Sequence, residues 1–292
     1  AIEVKHLTKQ YPGGVTALED ISFRVRGGVY GLLGHNGAGK TTLMKALVTI
    51  LRPSAGSVRI CGFDTRTQGE EVRRRIGYLP QELAMYPSLS VFDFVSYMAQ
   101  LKGFQENTPR KNAVNAALEM VEMQELSKRK IGQLSGGMRR RVGIAQALVG
   151  DPEILIVDEP TAGLDPEERV RFRGVLSRFA RDGKTVLLST HIVEDVYQIC
   201  DELAVLRNGH LFYAGPSTGL MERVAGKVKV LHLEGEDALI ALQKQAVVLS
   251  TAYESHGLTA RVMDEKQLFS EPAVPATLED AYIYCMGGKE HA

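Results

Sequence analysis

The sequence predicts an α/β fold with a mostly parallel core sheet and an antiparallel β subdomain beside it. Three short, mostly apolar runs are typical of buried strands, and they cover residues 29–33, 154–157 and 186–189. A helical pattern follows each run, and strands that alternate with helices favour parallel pairing. Residues 2–7 and 21–25 instead alternate apolar and polar side chains, which predicts half-exposed antiparallel strands.

A helical insert is expected over about residues 85–149. Ser90 is followed three residues later by Asp93 and by apolar residues at helical spacing, which is typical of a capped amphipathic helix. A second helix is expected to begin at Thr108-Pro109, because proline favours the first turn of a helix.

The last quarter of the chain predicts a separate small domain. An Asn-Gly dipeptide at 208–209 lies between two apolar runs and predicts a two-residue hairpin turn. A Gly-Pro dipeptide at 215–216 then interrupts the chain, so we expect one domain at 1–216 and an α/β accessory domain at 217–292. In that domain we expect a strand at 227–233, a helix at 237–249, a strand at 258–263 and a helix near 278–286.

The composition is that of an ordinary globular protein. The 292 residues include 35 Lys and Arg against 35 Asp and Glu, so bulk charge gives no reason to expect nucleic acid as a partner. We expect no signal peptide. We also expect no membrane-spanning segment, because no apolar run reaches the length of about 18–20 residues that is needed to span a bilayer. Cys61, Cys200 and Cys285 show no metal-binding spacing, which is typical of small apolar residues in a reducing cytosol.

A glycine-rich segment after the first core strand matches G-x-x-x-x-G-K-[ST], the phosphate loop of P-loop NTPases. It reads Gly34-His35-Asn36-Gly37-Ala38-Gly39-Lys40-Thr41, and a helix is expected from Thr42 to about residue 51. Backbone N–H groups of such a loop converge on phosphate oxygens, and the following helix directs its positive end toward them. We therefore expect ATP at residues 34–42, with Lys40 on the β- and γ-phosphates and the Thr41 hydroxyl on Mg²⁺.

Two adjacent carboxylates end another predicted core strand. Asp158 and Glu159 follow residues 154–157, and the carboxyl ends of parallel strands face the ligand crevice. We expect Asp158 to hold Mg²⁺, directly or through water, and Glu159 to act as general base on an attacking water. Two acids at a strand end are more often solvated side chains, but a phosphate loop in the same chain favours the catalytic interpretation.

A third motif lies between the phosphate loop and the acidic strand end. It reads Leu134-Ser135-Gly136-Gly137-Met138 and resembles the signature sequence of ABC ATPases, although Met138 stands where glutamine is commonest. The order of the motifs along the chain also fits that family, and the resemblance covers about residues 1–216. It implies that Ser135, Gly136 and Gly137 form a second anion-binding helix end, which covers the ATP of a second cassette in a head-to-tail dimer. A helix N-cap without a ligand is the alternative.

Four further residues match the pattern of that family. The resemblance implies that Gln81 contacts Mg²⁺ and the attacking water, and that His191 contacts the γ-phosphate and orients Glu159. It also implies that Asp165 communicates across the dimer and that Tyr11 stacks on adenine. Asp165 is equally expected to cap a helix that begins at the next residue, and Tyr11 alone would be an ordinary strand-end tyrosine.

The resemblance also implies integral membrane permease subunits as partners, a second cassette that can be an identical chain, and a location at the cytoplasmic face of the membrane. The stretch just past Gln81 is apolar and aromatic, and it is the expected permease contact. The apolar and aromatic residues of this stretch are Leu83, Met85, Tyr86, Leu89, Phe92 and Phe94. A position in the core of the insert would explain some of these six residues.

Two features resemble the cassettes of drug, antibiotic and ion exporters whose permease is a separate chain. They are the methionine form of the signature and the segment from Pro275 to Tyr282, which contains Leu278-Glu279-Asp280. An importer subunit is the alternative, because importers share the ATP chemistry. The single cassette, without a heptad run or a basic patch, disfavours a cassette that remodels ribosomes or DNA. The intact ATP motifs disfavour a catalytically inactive binding module.

Overall fold

The computed structural model describes residues 1–181, 183–254 and 257–287, and the chain divides into the units Ala1–Ala214 and Gly215–Ala292. The strands of the first unit are β1 (Ile2–Gln10), β2 (Thr16–Val25), β3 (Gly28–Leu33), β4 (Ala55–Ile60), β5 (Phe63–Asp64), β6 (Ile76–Leu79), β7 (Ile154–Asp158), β8 (Thr185–Thr190), β9 (Glu202–Arg207) and β10 (His210–Pro216). Its helices are α1 (Lys40–Leu47), α2 (Gly69–Arg75), α3 (Val91–Leu101), α4 (Asn107–Met120), α5 (Gly136–Leu148), α6 (Pro166–Arg181) and α7 (Val193–Ile199).

The first unit is organised around a six-stranded sheet in the order β10-β9-β3-β8-β7-β6. β3 pairs in parallel with β8 and β9, and β7 pairs in parallel with β6 and β8. The register pairs Leu33 with Thr190 and Asp158 with Ser189. The predicted parallel core is therefore confirmed, and the carboxyl ends of three strands meet at one edge of the sheet.

A second, antiparallel sheet in the order β2-β1-β4-β5 lies in the same unit, as predicted. Ile2 of β1 pairs with Val25 on one side and with Ile60 on the other. The buried side chains of this sheet share one core with Met44 and Leu47 of α1, which is the helix after the phosphate loop. The antiparallel sheet thus packs against the helix that follows the phosphate loop.

The helical insert contains α3, α4 and α5. Ser90 caps α3 as predicted, because its Oγ accepts a hydrogen bond from the Asp93 N–H at 3.0 Å and the hydroxyl lies 2.6 Å from Asp93 Oδ2. The second predicted helix begins at Asn107 as α4 and buries Val114 and Leu118. Among the described residues, no helix combines the length and the apolar character needed to cross a bilayer.

The helix after the phosphate loop is shorter than predicted. α1 ends at Leu47, whereas the sequence favoured a helix to about residue 51. Thr49 adopts a left-handed conformation with φ 65°, and the N–H groups of Ile50 and Leu51 both donate to the Lys45 carbonyl at 2.9 Å. This closing turn satisfies carbonyls at the helix end, so the helix stops before proline is reached.

The predicted hairpin is present and contacts the phosphate loop. Asn208 and Gly209 have φ values of 49° and 80°, which suit a two-residue turn between β9 and β10. The Gly209 N–H donates to the Ala38 carbonyl at 3.1 Å, and its own carbonyl accepts from the Glu19 N–H at 2.8 Å. The turn therefore joins the antiparallel sheet to the phosphate loop.

The second unit contains α8 (Ser217–Glu222), β11 (Val228–Leu233), α9 (Glu236–Gln243), β12 (Val247–Glu254), β13 (Gly257–Met263) and α10 (Leu278–Gly287). Its sheet has the order β11-β13-β12, with β13 antiparallel to both neighbours. The expected helix over 237–249 is wrong beyond Gln243, and the sequence interpretation missed β12. The apolar run at 246–249 suits either element locally, and pairing with β13 decides in favour of a strand.

The segment that resembles exporter endings attaches α10 to the sheet of its own unit. Thr277 and Asp280 form a reciprocal cap, with N–H to side-chain oxygen distances of 3.1 Å and 2.9 Å. Arg261 of β13 donates to the two Asp280 oxygens at 3.1 Å and 2.6 Å. Burial raises the pKa of Asp280, but the hydrogen bonds from Arg261 and Thr277 outweigh it and leave the pKa below its usual value.

We expect Asp280→Asn to destabilise the second unit by about 2–4 kcal/mol at pH 7, because Arg261 loses its carboxylate and α10 loses its cap. Denaturant unfolding of the full chain, followed by circular dichroism, measures this loss. A carboxylate with a lowered pKa stabilises the fold above its unfolded pKa. The difference between the two proteins should therefore shrink below about pH 4. Glu279→Gln, at an exposed neighbour, is the control, and an equal loss there would contradict the assignment.

Candidate functional site

Three strand ends carry the predicted site residues to one edge of the core sheet. β3 leads into the phosphate loop after Leu33, β7 ends at Asp158, and β8 ends at Thr190 just before His191. The parallel register places these ends side by side. Residues that are more than a hundred positions apart in the sequence, such as Lys40 and Glu159, therefore come into direct contact.

The glycines of the phosphate loop are required by the chain itself as well as by any nucleotide. Gly37 and Gly39 have φ values of 84° and 104°, in the left-handed region that favours glycine. A Cβ at Gly34 would lie 2.7 Å from the Leu206 carbonyl oxygen, and one at Gly39 would lie 2.8 Å from that of Ala17. The loop thus fits closely between β9 and β2.

The other predicted residues of the loop differ in exposure. Asn36 is exposed, and its carbonyl oxygen lies 2.7 Å from His35 Nδ1. Ala38 is buried under the loop. Thr41 and Thr42 are half-buried in the first turn of α1, where the positive end of the helix lies.

Lys40, Glu159 and His191 form a continuous polar array. Lys40 Nζ lies 3.0 Å from Glu159 Oε1, and His191 Nδ1 lies 2.6 Å from Glu159 Oε2. The Lys40 and Glu159 side chains are only 5% and 6% exposed, and their pairing offsets the cost of burying two charges. The His191 side chain is 44% exposed. A carboxylate held between a cation and an accessible imidazole can accept a proton from a bound water.

Asp158 has one carboxylate oxygen that is committed to the protein and one that is not. Oδ1 accepts a hydrogen bond from the Ser189 hydroxyl. Oδ2 is buried and has no hydrogen-bond partner among the described residues. A buried oxygen without a donor is costly, and such an oxygen is a ligand that a hard divalent cation prefers.

The signature residues lie at the beginning of α5. The Ser135 Oγ caps the helix by accepting from the Met138 N–H at 3.2 Å. A Cβ at Gly136 would meet nothing within 4 Å, whereas one at Gly137 would lie 2.7–2.9 Å from the Glu168 side chain. Of these two glycines, only Gly137 is therefore crowded by the chain itself, through the Glu168 side chain. The exposed Ser135 and Gly136 leave the helix end open to a ligand or a partner.

No described hydrogen bond links the side chain of Gln81, Asp165 or Tyr11 to the side chains of the polar array. The Gln81 side chain is exposed. The Asp165 Oδ1 accepts from the Glu168 N–H at 2.8 Å, so this carboxylate caps α6, as one of the two interpretations expected. The Tyr11 ring is 37% exposed, and the Lys9 ammonium lies 5.2 Å from its centre. The roles of these residues toward the nucleotide stay predictions.

Sequence reasoning missed a buried network behind the site. Asp195 of α7 is fully buried, accepts from the Thr161 hydroxyl at 2.5 Å and pairs with Arg173 at 3.3 Å. Thr161 follows Glu159 by two residues, and Asp195 follows His191 by four, so the network ties the two loops together. No local spacing signals a contact between residues 34 positions apart. Arg140, which is one of three consecutive arginines, was also missed.

The sequence is similar to proteins of one family. A family model described as "ABC transporter" matches residues 18–162. The chain is 34% identical over 301 residues to the Nod factor export ATP-binding protein I of Burkholderia orbicola (strain AU 1054), which covers 98% of this chain and 97% of that protein. It is 36% identical over 214 residues to the ABC transporter ATP-binding protein NatA of Bacillus subtilis (strain 168), which covers 71% of this chain and 85% of that protein.

Solved structures share the fold. One is cbiO1 from Clostridium perfringens, described as part of the ABC transporter complex cbiONQ. It has a TM-score of 0.68 and 31% identity, and the match covers 74% of this chain and 88% of that chain. Another is the ATP-binding cassette MJ0796 in a dimeric post-hydrolysis state bound to ADP and Pi. It has a TM-score of 0.67 and 27% identity, and the match covers 74% of this chain and 98% of that chain.

The two signature glycines are expected to respond differently to an added methyl group. Gly137→Ala should lower stability by about 1–3 kcal/mol, because the Cβ must displace Glu168 from its pairing with Arg141. Gly136→Ala should change stability by less than about 0.5 kcal/mol, because the position is open. Denaturant unfolding of both variants measures this contrast, and an equal loss would mean that the packing against Glu168 does not matter.

Proposed function

Because the chain belongs to the ABC transporter family, as its ATP-binding and ATP-hydrolysing subunit, we propose that it powers export through separate membrane subunits. The observation that carries export is the match to an export ATP-binding protein over 98% of this chain, accessory region included. An importer subunit would use the same ATP chemistry. The match to a relative named for export, over both units of the chain, favours export.

We assign the general base of hydrolysis to Glu159. Its carboxylate would take a proton from water as the water oxygen attacks the γ-phosphorus in line and the bond to the ADP oxygen breaks. Lys40 lies 3.0 Å from this carboxylate, and on ATP binding its charge would turn to the β- and γ-phosphates. His191, 2.6 Å from the other carboxylate oxygen and partly exposed, would orient the carboxylate and contact the γ-phosphate.

The residues around Asp158 fit a Mg²⁺ ion. Its Oδ2 is buried without a hydrogen-bond partner among the described residues, and carboxylate oxygen suits a hard cation. Asp158, the Thr41 hydroxyl and the Gln81 amide oxygen would hold the ion together with phosphate oxygens. When bound, Mg²⁺ would neutralise charge on the β- and γ-phosphates.

We propose that the complete site needs a second copy of this cassette. Ser135, Gly136 and Gly137 of one copy would cover the ATP bound at residues 34–42 of the other copy. The open position at Gly136 and the exposed helix end support this assignment, and so does the related cassette solved as a dimer with ADP and Pi. Asp165 would then lie at the dimer contact, and Tyr11 would stack on adenine.

We propose that the permease binds at the cytoplasmic face of the membrane to part of the stretch predicted for this role. Phe94 is buried and belongs to the core of the insert, and Leu83 and Met85 pack toward Gly143 of α5. Tyr86, by contrast, is 58% exposed. A cavity of about 610 Å³ lies in the same unit, between α3 and the end of α1. Its lining includes apolar residues, which are Val48, Ile50, Met98, Leu101 and Phe104, and charged residues, which are Glu70, Arg73, Arg74 and Lys102. We place the permease contact at Tyr86 and this cavity.

Glu159→Gln should lower the rate of ATP hydrolysis by about 10²–10⁴-fold, because the amide cannot accept the proton. The variant should still bind ATP and should become an ATP-dependent dimer, since the γ-phosphate is no longer lost. Steady-state phosphate release and size-exclusion chromatography with ATP measure the two effects. Glu119→Gln, at an exposed position on α4, is the matched control. Hydrolysis by Glu159→Gln at the native rate would show that the base is another group.

Tyr86→Glu should abolish the recovery of membrane proteins with the tagged chain, because it places a charge in the proposed permease contact. Detergent-solubilised membranes from cells that express the tagged protein provide the measurement. Tyr197→Glu is the control, because Tyr197 is also 58% exposed but lies on α7, outside the insert. Equal recovery with both variants would place the permease elsewhere.

A further inference from the structure

Arg140 is in the second turn of the signature helix α5 and binds main-chain oxygens of two other segments. Its three guanidinium nitrogens donate to three carbonyls: Nε to Pro160 at 2.8 Å, Nη1 to Gln81 at 2.7 Å and Nη2 to Glu159 at 2.6 Å. We propose that Arg140 is a positioning residue for ATP hydrolysis, which holds the main chain at Glu159 and Gln81 and ties both to the signature helix of the same chain. This inference rests on the proposed function, in which Glu159 is the general base.

The backbone of Glu159 needs such support. Its φ is 49°, in the left-handed region that a residue with a Cβ enters at a cost of about 1–2 kcal/mol. On one side, the Glu159 N–H donates to the Ser189 carbonyl at 3.0 Å, which fixes the residue to β8. On the other side, the only described partner of its carbonyl is Arg140. The two contacts together hold the strained conformation that directs the Glu159 carboxylate toward Lys40.

The same guanidinium reaches the segment that carries Gln81. This segment follows β6, and the Gln81 side chain is exposed, so the bond from Arg140 to the Gln81 carbonyl is the described contact that fixes its main chain to α5. Ser135, the cap of α5, precedes Arg140 by five residues on one continuous helix. A movement of the signature end of α5 would therefore shift Gln81 and Glu159 together.

Only arginine has the donor geometry for this position. Its planar group presents donors on three nitrogens in a fixed arrangement, whereas lysine has one nitrogen and glutamine has a short neutral amide. Arg140 is partly buried, and the charges of Asp158 and Glu159 act on it. Its positive charge therefore lies close to the acidic strand end while all three nitrogens bind carbonyls rather than carboxylates.

The test compares Arg140→Gln and Arg140→Lys with the native full-length chain. Arg178→Gln is the matched control, because Arg178 also donates across elements to a carbonyl, that of Met120 at 3.2 Å, but lies away from the nucleotide loops. Steady-state ATP hydrolysis as a function of ATP concentration gives kcat and KM. Equilibrium binding of a fluorescent ATP analogue gives nucleotide affinity, and thermal unfolding gives the folded fraction. ATP-dependent dimerisation is measured after each change is combined with Glu159→Gln.

Arg140→Gln should lower kcat about 10–100-fold, because a small displacement of the base or of the attacking water is costly. KM and nucleotide affinity should change less than about threefold, because the phosphate loop is untouched. Arg140→Lys should give a kcat between those of the native and Arg140→Gln proteins, since one lysine ammonium can replace only part of the three hydrogen bonds of the guanidinium. ATP-dependent dimerisation should weaken in the Arg140→Gln, Glu159→Gln protein. Arg178→Gln should match the native chain throughout.

A kcat of Arg140→Gln within about twofold of the native value would overturn the inference. It would also be overturned if kcat fell only in proportion to the folded fraction and the kcat of Arg140→Lys were no higher than that of Arg140→Gln. The role of Arg140 would then be structural. If Arg140→Gln does not fold, the same criteria apply to Arg140→Lys. A native chain that hydrolyses no ATP, or a Glu159→Gln chain that hydrolyses it at the native rate, would instead refute the proposed base and the inference with it. Normal hydrolysis by Arg140→Gln beside an inactive Glu159→Gln refutes the inference alone.

Discussion

The site depends on the parallel register of β3, β7 and β8. Because Leu33 lies opposite Thr190 and Asp158 lies opposite Ser189, three loops leave the sheet at the same edge. This register makes the buried contact between Lys40 and Glu159 possible. A shift of one residue in a strand would turn its side chains to the other face of the sheet and separate the charges. The apolar strands that fix the register are therefore as important to the chemistry as the charged residues that they carry.

Two parts of the signature helix α5 face different surroundings. Its exposed end, with Ser135 and the open Gly136, is available to a second copy, while its second turn holds the loops of its own chain through Arg140. Gly137 shows the same division, because a side chain there would press against the Glu168 side chain of α6. A motif that is usually considered for what it offers to a nucleotide thus also has to fit its own subunit.

In the accessory unit, a motif without ATP chemistry also has contacts within its own fold. The Leu278-Glu279-Asp280 segment resembles exporter endings, and in the structure Asp280 caps α10 and pairs with Arg261. This accounts for the aspartate at position 280 by stability alone. The same unit contains β12, which the sequence interpretation placed partly in a helix. A short β-branched run satisfies the local preferences of both elements, and only its neighbour β13 decides between them.

By itself, the sequence determined the core strands and the helices that alternate with them, the phosphate loop, the acidic strand end, the hairpin at Asn208 and the cap at Ser90, because each of these depends on residues close together in the chain. Which core strands lie side by side depends on pairs far apart in the chain, such as Leu33 and Thr190, and only the tertiary structure decided it. The sequence did not determine where α1 ends, since Thr49 leaves the helix before Pro53 is reached. Only the tertiary structure decided the contacts of Arg140 and Asp195. Their partners lie in segments distant in the sequence, and arginines 139–141 are alike until the fold turns one of them toward the carbonyls of the site.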